Sequence, residues 1–85
     1  MKEFTYTVKD ELGIHARPAG QLVKKVAAYK SALTLIAPKG TADLRRLMAV
    51  MKLSVKQNDT VTVKAEGEDE DTAIAELEAF FKENL

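Results

Sequence analysis

Large apolar residues alternate with hydroxyl residues through Phe4-Thr5-Tyr6-Thr7-Val8. A period of two built from β-favouring side chains predicts a strand with one buried face. Asp10-Glu11-Leu12-Gly13 interrupts it with turn chemistry. Beyond Pro18 the period lengthens. Ala19, Leu22, Val23 and Val26 fall at i, i+3, i+4 and i+7, the stripe of a helix packed on one side, with Lys24 and Lys25 off the stripe. Pro18 suits the first helical turn, where its missing N–H is no loss, and the helix is expected to end near Ala28 or Tyr29.

Leu33-Thr34-Leu35-Ile36 reads as a second strand. Pro38-Lys39-Gly40 turns the chain, and Thr41-Ala42-Asp43 returns as a short third strand. Arg46 to Leu53 predicts a short helix with two apolar faces, Val50 and Leu53 on one, Leu47, Met48 and Met51 on the other. So short an element cannot bury both, and one face is expected to stay exposed. After a turn at Gln57-Asn58-Asp59, Thr60 to Ala65 alternates cleanly as a fourth strand, broken at Gly67. Asp69 is placed to N-cap a last helix, with Glu70 and Asp71 complementing its dipole and Ile74, Leu77 and Phe81 as its buried stripe beside Phe80. The order is β-α-β-β-α-β-α. Alternating strands leave one sheet face wet, so the helices must cover the other: a two-layer α+β domain.

The 85 residues suit a single domain spanning 1–85. Thirteen basic residues balance thirteen acidic ones, which argues against nucleic acid as a partner. Lys24, Lys25, Lys30, Lys39, Arg45, Arg46 and Lys52 crowd the middle, whereas Glu66 to Glu83 is acidic. A basic patch on a neutral protein suits a partner with an acidic surface. Met1 to Tyr6 lacks the apolar run of a signal peptide, and no stretch approaches the ~18 apolar residues of a membrane span. A cytoplasmic protein that is not membrane-inserted is expected. With one histidine and no cysteine, no zinc site is expected, and no other cofactor is called for. No Gly-rich phosphate loop is present. The run Glu68-Asp69-Glu70-Asp71 reads as a solvated helix start.

A lone histidine is ordinarily unremarkable, but the neighbours of His15 alter its reading. It stands at the mouth of the first helix in Gly13-Ile14-His15-Ala16-Arg17-Pro18-Ala19. Between Leu12 and Leu22 no Ser, Thr, Asp or Asn is offered as a cap, so the first amides are left free to attract an anion. Arg17 adds a permanent charge and a donor fork suited to phosphate oxygens. A neutral imidazole nitrogen can attack phosphorus, and the N–P bond it forms is labile, so the group can move on.

Gly13-Ile14-His15-Ala16-Arg17-Pro18-Ala19 resembles the active-site signature of the HPr family, the histidine-containing phosphocarriers of the bacterial sugar phosphotransferase system. Two further blocks are similar to that family: Leu47-Met48-Ala49-Val50-Met51-Lys52-Leu53-Ser54-Val55 and Ala65-Glu66-Gly67-Glu68-Asp69-Glu70. The resemblance implies an open-faced β-sandwich, a four-stranded antiparallel sheet with three helices on one face. It implies that enzyme I, charged by phosphoenolpyruvate, phosphorylates Nδ1 of His15, and that the group passes to IIA domains of sugar permeases. Transcriptional regulators are a further class of partner, and a monomer is expected. Arg17 would steady the phosphoryl group beside the amides of Ala16 and Arg17. Leu47, Met48 and Met51 would form a docking patch, with Gly20, Lys24 and Arg46 around it. Such a protein is a stoichiometric carrier rather than an enzyme.

Two positions depart from the family pattern. Many relatives carry a serine where Arg46 stands, which a dedicated kinase phosphorylates for carbon control. Arg46 cannot accept a phosphoryl group in that way, so the resemblance implies blindness to that kinase here. Gly20 lies inside the first helix, where larger residues are frequent, at about 0.5–1 kcal/mol of helix stability relative to alanine. The alternatives are the same chemistry in a regulatory phosphorelay, or a regulatory binding module without phosphoryl transfer. Retention of His15 argues against the last.

Overall fold

The computed structural model describes the whole chain, Met1–Leu85. Its elements follow the predicted order: β1 (Lys2–Thr7), α1 (Ala16–Val26), β2 (Ala32–Ala37), β3 (Gly40–Asp43), α2 (Leu47–Lys52), β4 (Thr60–Glu66) and α3 (Glu70–Asn84). The strands form one antiparallel sheet in the order β1-β4-β2-β3. Its register explains the alternation in the sequence. Phe4 lies opposite Val63, Val63 opposite Leu35 and Leu35 opposite Ala42, a row of buried side chains crossing all four strands. The adjacent row, Thr5, Thr62, Ile36 and Thr41, points the other way, and the Thr5 and Thr62 hydroxyls meet at 3.3 Å. One face is therefore dry and the other open.

The three helices cover the dry face. α3 packs on β1 and β4, α2 lies against β3, and α1 sits between α2 and α3. Phe81 is fully buried at the centre of an aromatic group, edge-on to Phe4 at 5.4 Å, Tyr6 at 5.9 Å and Phe80 at 6.3 Å. Leu22, Val26, Val50 and Leu77 close the layer between helices and sheet. No helix is long and apolar enough to cross a membrane.

Four sequence expectations are corrected in detail. α1 ends at Val26, earlier than Ala28 or Tyr29. The amides of Ala28 and Tyr29 bond three residues back, tightening the exit, while Arg45 Nη2 donates to the Tyr29 carbonyl at 2.6 Å. On α3 the fully buried stripe is Ala73, Leu77 and Phe81, with Ile74 only half-buried. Asp69 is the residue before α3, but its side chain makes no capping bond there. Nor are Asp69 and Glu70 merely solvated. The Asp69 carboxylate reaches back to the segment before β2, accepting from the Ser31 hydroxyl, from the Ser31 amide at 2.9 Å and from the Lys30 amide at 2.8 Å. Glu70 accepts from the Gly67 amide at 3.2 Å. Asp69 thus ties the approach to β2 onto the start of α3.

The Ser31 hydroxyl, followed by the Lys30 and Ser31 amides, holds the Asp69 carboxyl below the usual aspartate range. A native value below the unfolded one stabilises the fold at neutral pH, and that contribution fades as the pH falls below about 4. Asp69→Asn is expected to lower the melting temperature at pH 7, with the gap to the parent protein closing on acidification. Thermal melts followed by circular dichroism between pH 7 and pH 2 check this; a gap that does not shrink in acid would contradict it.

Candidate functional site

The segment before α1 is fastened from three sides. The Val8 amide donates to Asp59 at 2.9 Å, and the Asn58 amide to Val8 at 2.7 Å, joining the end of β1 to the loop before β4. The amides of Lys9 and Asp10 both donate to the main-chain oxygen of Leu85, at 2.6 and 2.8 Å. Ile14 donates to the Val55 carbonyl at 3.1 Å. Gly13 makes this last approach possible. Its φ of +66° belongs to the left-handed region, and a Cβ built there would stand 2.1 Å from the Val55 oxygen. Glycine is required on both counts.

α1 then starts on His15, whose extended backbone (φ −96°, ψ −176°) makes it the N-cap residue. The first intrahelical bond is Ala19 N–H to the His15 carbonyl at 3.0 Å. No side chain caps this end, and the amides of Ala16 and Arg17 find no acceptor in the chain. Pro18 has no N–H to satisfy. The first turn carries no acidic residue and the last carries Lys24 and Lys25, so the positive end of the helix dipole is unmatched by its own residues. Arg17 is exposed and forms neither an ion pair nor a side-chain hydrogen bond within the chain.

The His15 ring is half-exposed beside a shallow concavity of about 250 Å³. Its walls are polar: Asp10 from the loop, Arg17, Pro18 and Gln21 from α1, and Glu83 and Asn84 from α3. The His15 imidazole and the Arg17 side chain thus share one opening at the uncapped start of α1. No cluster of three or more His, Cys, Asp or Glu side chains is arranged to hold a metal ion.

A second, more apolar concavity of about 430 Å³ is lined by Arg46, Leu47, Met48, Ala49 and Lys52. Here the two faces of α2 part as expected: Val50 is fully buried, while Leu47 is 38% and Met48 67% exposed. Met51 is half-buried against the core, so it contributes less free surface than its neighbours. Lys24 is exposed on α1 and Gly20 half-exposed. Neither lines either concavity, and the two concavities share no residue. Nothing in the chain lies within 4 Å of a Cβ added at Gly20.

The model for the family described as "PTS HPr component phosphorylation site" matches residues 2–83 of the chain. The chain belongs to the HPr family. It is 40% identical over 85 residues to the phosphocarrier protein HPr of Mycoplasma genitalium, covering 99% of this chain and 97% of that one. It is 43% identical over 83 residues to the phosphocarrier protein HPr of Lysinibacillus sphaericus, covering 98% and 94%. Among solved structures, a mycoplasma histidine-containing phosphocarrier protein superposes with a TM-score of 0.90 at 33% identity, covering 93% of this chain and 90% of that one. The open sheet with its three helices is thus the HPr architecture.

Some of the concavity's walls are not visible from the HPr signature. Gln21 has a local signal, since it follows Arg17 by four residues along α1. Asp10 reads only as turn chemistry, and Glu83 and Asn84 arrive from the far end of the chain. Leu12 is 70% exposed in the same loop as Asp10.

Gly13, which opens the signature, and Gly20, which follows it, predict opposite substitution effects. Gly13→Ala is expected to destabilise the fold by about 2 kcal/mol or more, through strain and collision with Val55. Gly20→Ala is expected to stabilise it by about 0.5–1 kcal/mol, because open space meets the new methyl and helix propensity improves. Urea unfolding of both variants measures the two signs.

Proposed function

We propose that this chain accepts a phosphoryl group on Nδ1 of His15 from phosphorylated enzyme I and donates it to IIA domains of sugar permeases. The lone pair of the imidazole nitrogen attacks phosphorus in line. The N–P bond forms as the bond from phosphorus to the donor's leaving atom breaks, its electron pair returning to the donor. Transfer onward repeats the step with the acceptor's nucleophile, and the pair of the N–P bond returns to His15. Such a transfer demands positioning and charge neutralisation more than covalent assistance from the carrier. The observation that carries this reading is the uncapped start of α1. The Ala16 and Arg17 amides have no acceptor and lie next to a half-exposed His15 and an unpaired Arg17. Charged oxygens of a phosphoryl group on the ring would receive donors there without displacing any native bond. Membership in a family described by its phosphorylation site, and a structural neighbour named as a histidine-containing phosphocarrier, support it further.

Leu47 and Met48 serve in this reading as the apolar docking surface, with Met51, Gly20, Lys24 and Arg46 contributing around it. Methionine adapts to several partners because its side chain is flexible and polarisable. Exposed apolar side chains beside Arg46 and Lys52 suit a partner surface with a hydrophobic centre and an acidic rim.

With enzyme I and phosphoenolpyruvate, the protein is expected to gain one acid-labile, base-stable phosphoryl group, and His15→Ala none, with its melting temperature preserved. A His15→Ala variant that still accepts label would refute the assignment. Met48→Glu is expected to slow transfer by about tenfold or more while shifting stability by less than about 0.5 kcal/mol, since its side chain stands mostly in water. A stability loss of several kcal/mol would instead identify Met48 as core.

A further inference from the structure

The walls of the His15 concavity carry more negative than positive side-chain charge. Arg17 is their one basic side chain, whereas Asp10 and Glu83 bring two carboxylates. Neither carboxylate forms an ion pair with Arg17, and neither has an ion-pair partner elsewhere in the chain. Asp10 is also held in place. Its amide donates to Leu85 at 2.8 Å, its carbonyl accepts from Gly13 at 2.9 Å, and its Oδ1 accepts from Leu12 N–H at 2.8 Å. Two main-chain bonds fix the Asp10 backbone and one bond from Leu12 N–H orients its carboxylate, so the charge is held on the wall of the anion seat.

We propose that Asp10, seconded by Glu83, is a positioning residue of opposite purpose to the amides: its fixed negative charge destabilises the phosphoryl group on His15 and so drives its departure. The inference rests on the phosphocarrier reading above. Unpaired amides and Arg17 stabilise the arriving group, and a carrier built from these alone would hold it too well. Like charge on the walls offsets part of that stabilisation whenever the dianion is present, and affects the empty carrier far less. The N–P bond then breaks, its electron pair returning to the imidazole, at a smaller free-energy difference between loaded and unloaded carrier. Wall carboxylates in partly screened solvent are expected to change the loading equilibrium by about threefold each.

The test is an equilibrium competition, which docking rates do not influence. Unlabelled Asp10→Asn is mixed in equal amount with the ¹⁵N-labelled parent protein, a catalytic amount of enzyme I and limiting phosphoenolpyruvate. Intact-mass spectrometry then reads the phosphorylated fraction of each. Asparagine keeps the Oδ1 acceptor for Leu12, so the loop is preserved. Glu83→Gln, on the surface of α3, provides a second variant that does not depend on that loop. Each is expected to retain the phosphoryl group about threefold over the parent, with the advantage shrinking in about 1 M salt. Glu3→Gln, on the open face of the sheet, changes the net charge equally and is expected to share the group evenly. Even sharing by Asp10→Asn and Glu83→Gln, a preference for the parent, or an equal gain by Glu3→Gln would overturn the inference while leaving the carrier reading intact. Absence of phosphorylation on every protein would overturn the carrier reading, and this inference with it.

Discussion

A helix whose first amides have no acceptor is a local electrostatic defect, and the fold is arranged to keep this one open. α1 begins on an imidazole instead of a capping hydroxyl or carboxylate. The extended backbone of His15 supplies the carbonyl that starts the helix but no side-chain acceptor. About half a unit of positive charge is then concentrated at an opening that solvent reaches. In most proteins a Ser, Thr, Asp or Asn would remove it at a gain of about 1 kcal/mol. Here that stabilisation is forgone at the residue where phosphoryl chemistry is proposed.

Holding the opening in place falls to parts of the chain distant in sequence. Gly13 can lie against Val55 only because it has no side chain, and that contact sets the start of α1 beside the segment following α2. Leu85 accepts from Lys9 and Asp10, so the end of α3 and the loop before α1 share one set of bonds. Glu83 and Asn84 reach the His15 concavity by the same route. The sheet supplies the rigid floor. Its buried row from Phe4 to Ala42 anchors the helices, while the opposite face takes no part in the site.

Much of this was legible in the sequence, for reasons that differ by element. Strands β1 and β4 were readable because one face is dry and the other wet, so the period of two was uninterrupted. α2 was readable as two-faced because six residues cannot wrap around a core, and Leu47 and Met48 do stand exposed. The uncapped start of α1 was visible as an absence of capping residue types. Asp69 misled because its position before α3 is that of an N-cap, yet the Lys30 and Ser31 amides, 39 and 38 residues away along the chain, compete successfully for its carboxylate. Ile74 misled because Ala73, four residues before Leu77, continues the buried stripe more directly. The acidic walls at Asp10 and Glu83 had no sequence signal, since only the closed fold brings residues 10 and 83 to one opening.

The seating of a phosphoryl group at the start of α1 is tested most directly by amide chemical shifts. Proton–nitrogen correlation spectra of ¹⁵N-labelled protein, recorded before and after phosphorylation by enzyme I and phosphoenolpyruvate, report each backbone N–H separately. If the group is held there, the Ala16 and Arg17 amide protons move strongly downfield as they become charge-assisted donors, and amides of the open sheet face stay in place. If the protein takes up phosphate while those two resonances remain unmoved, the helix end is not the seat.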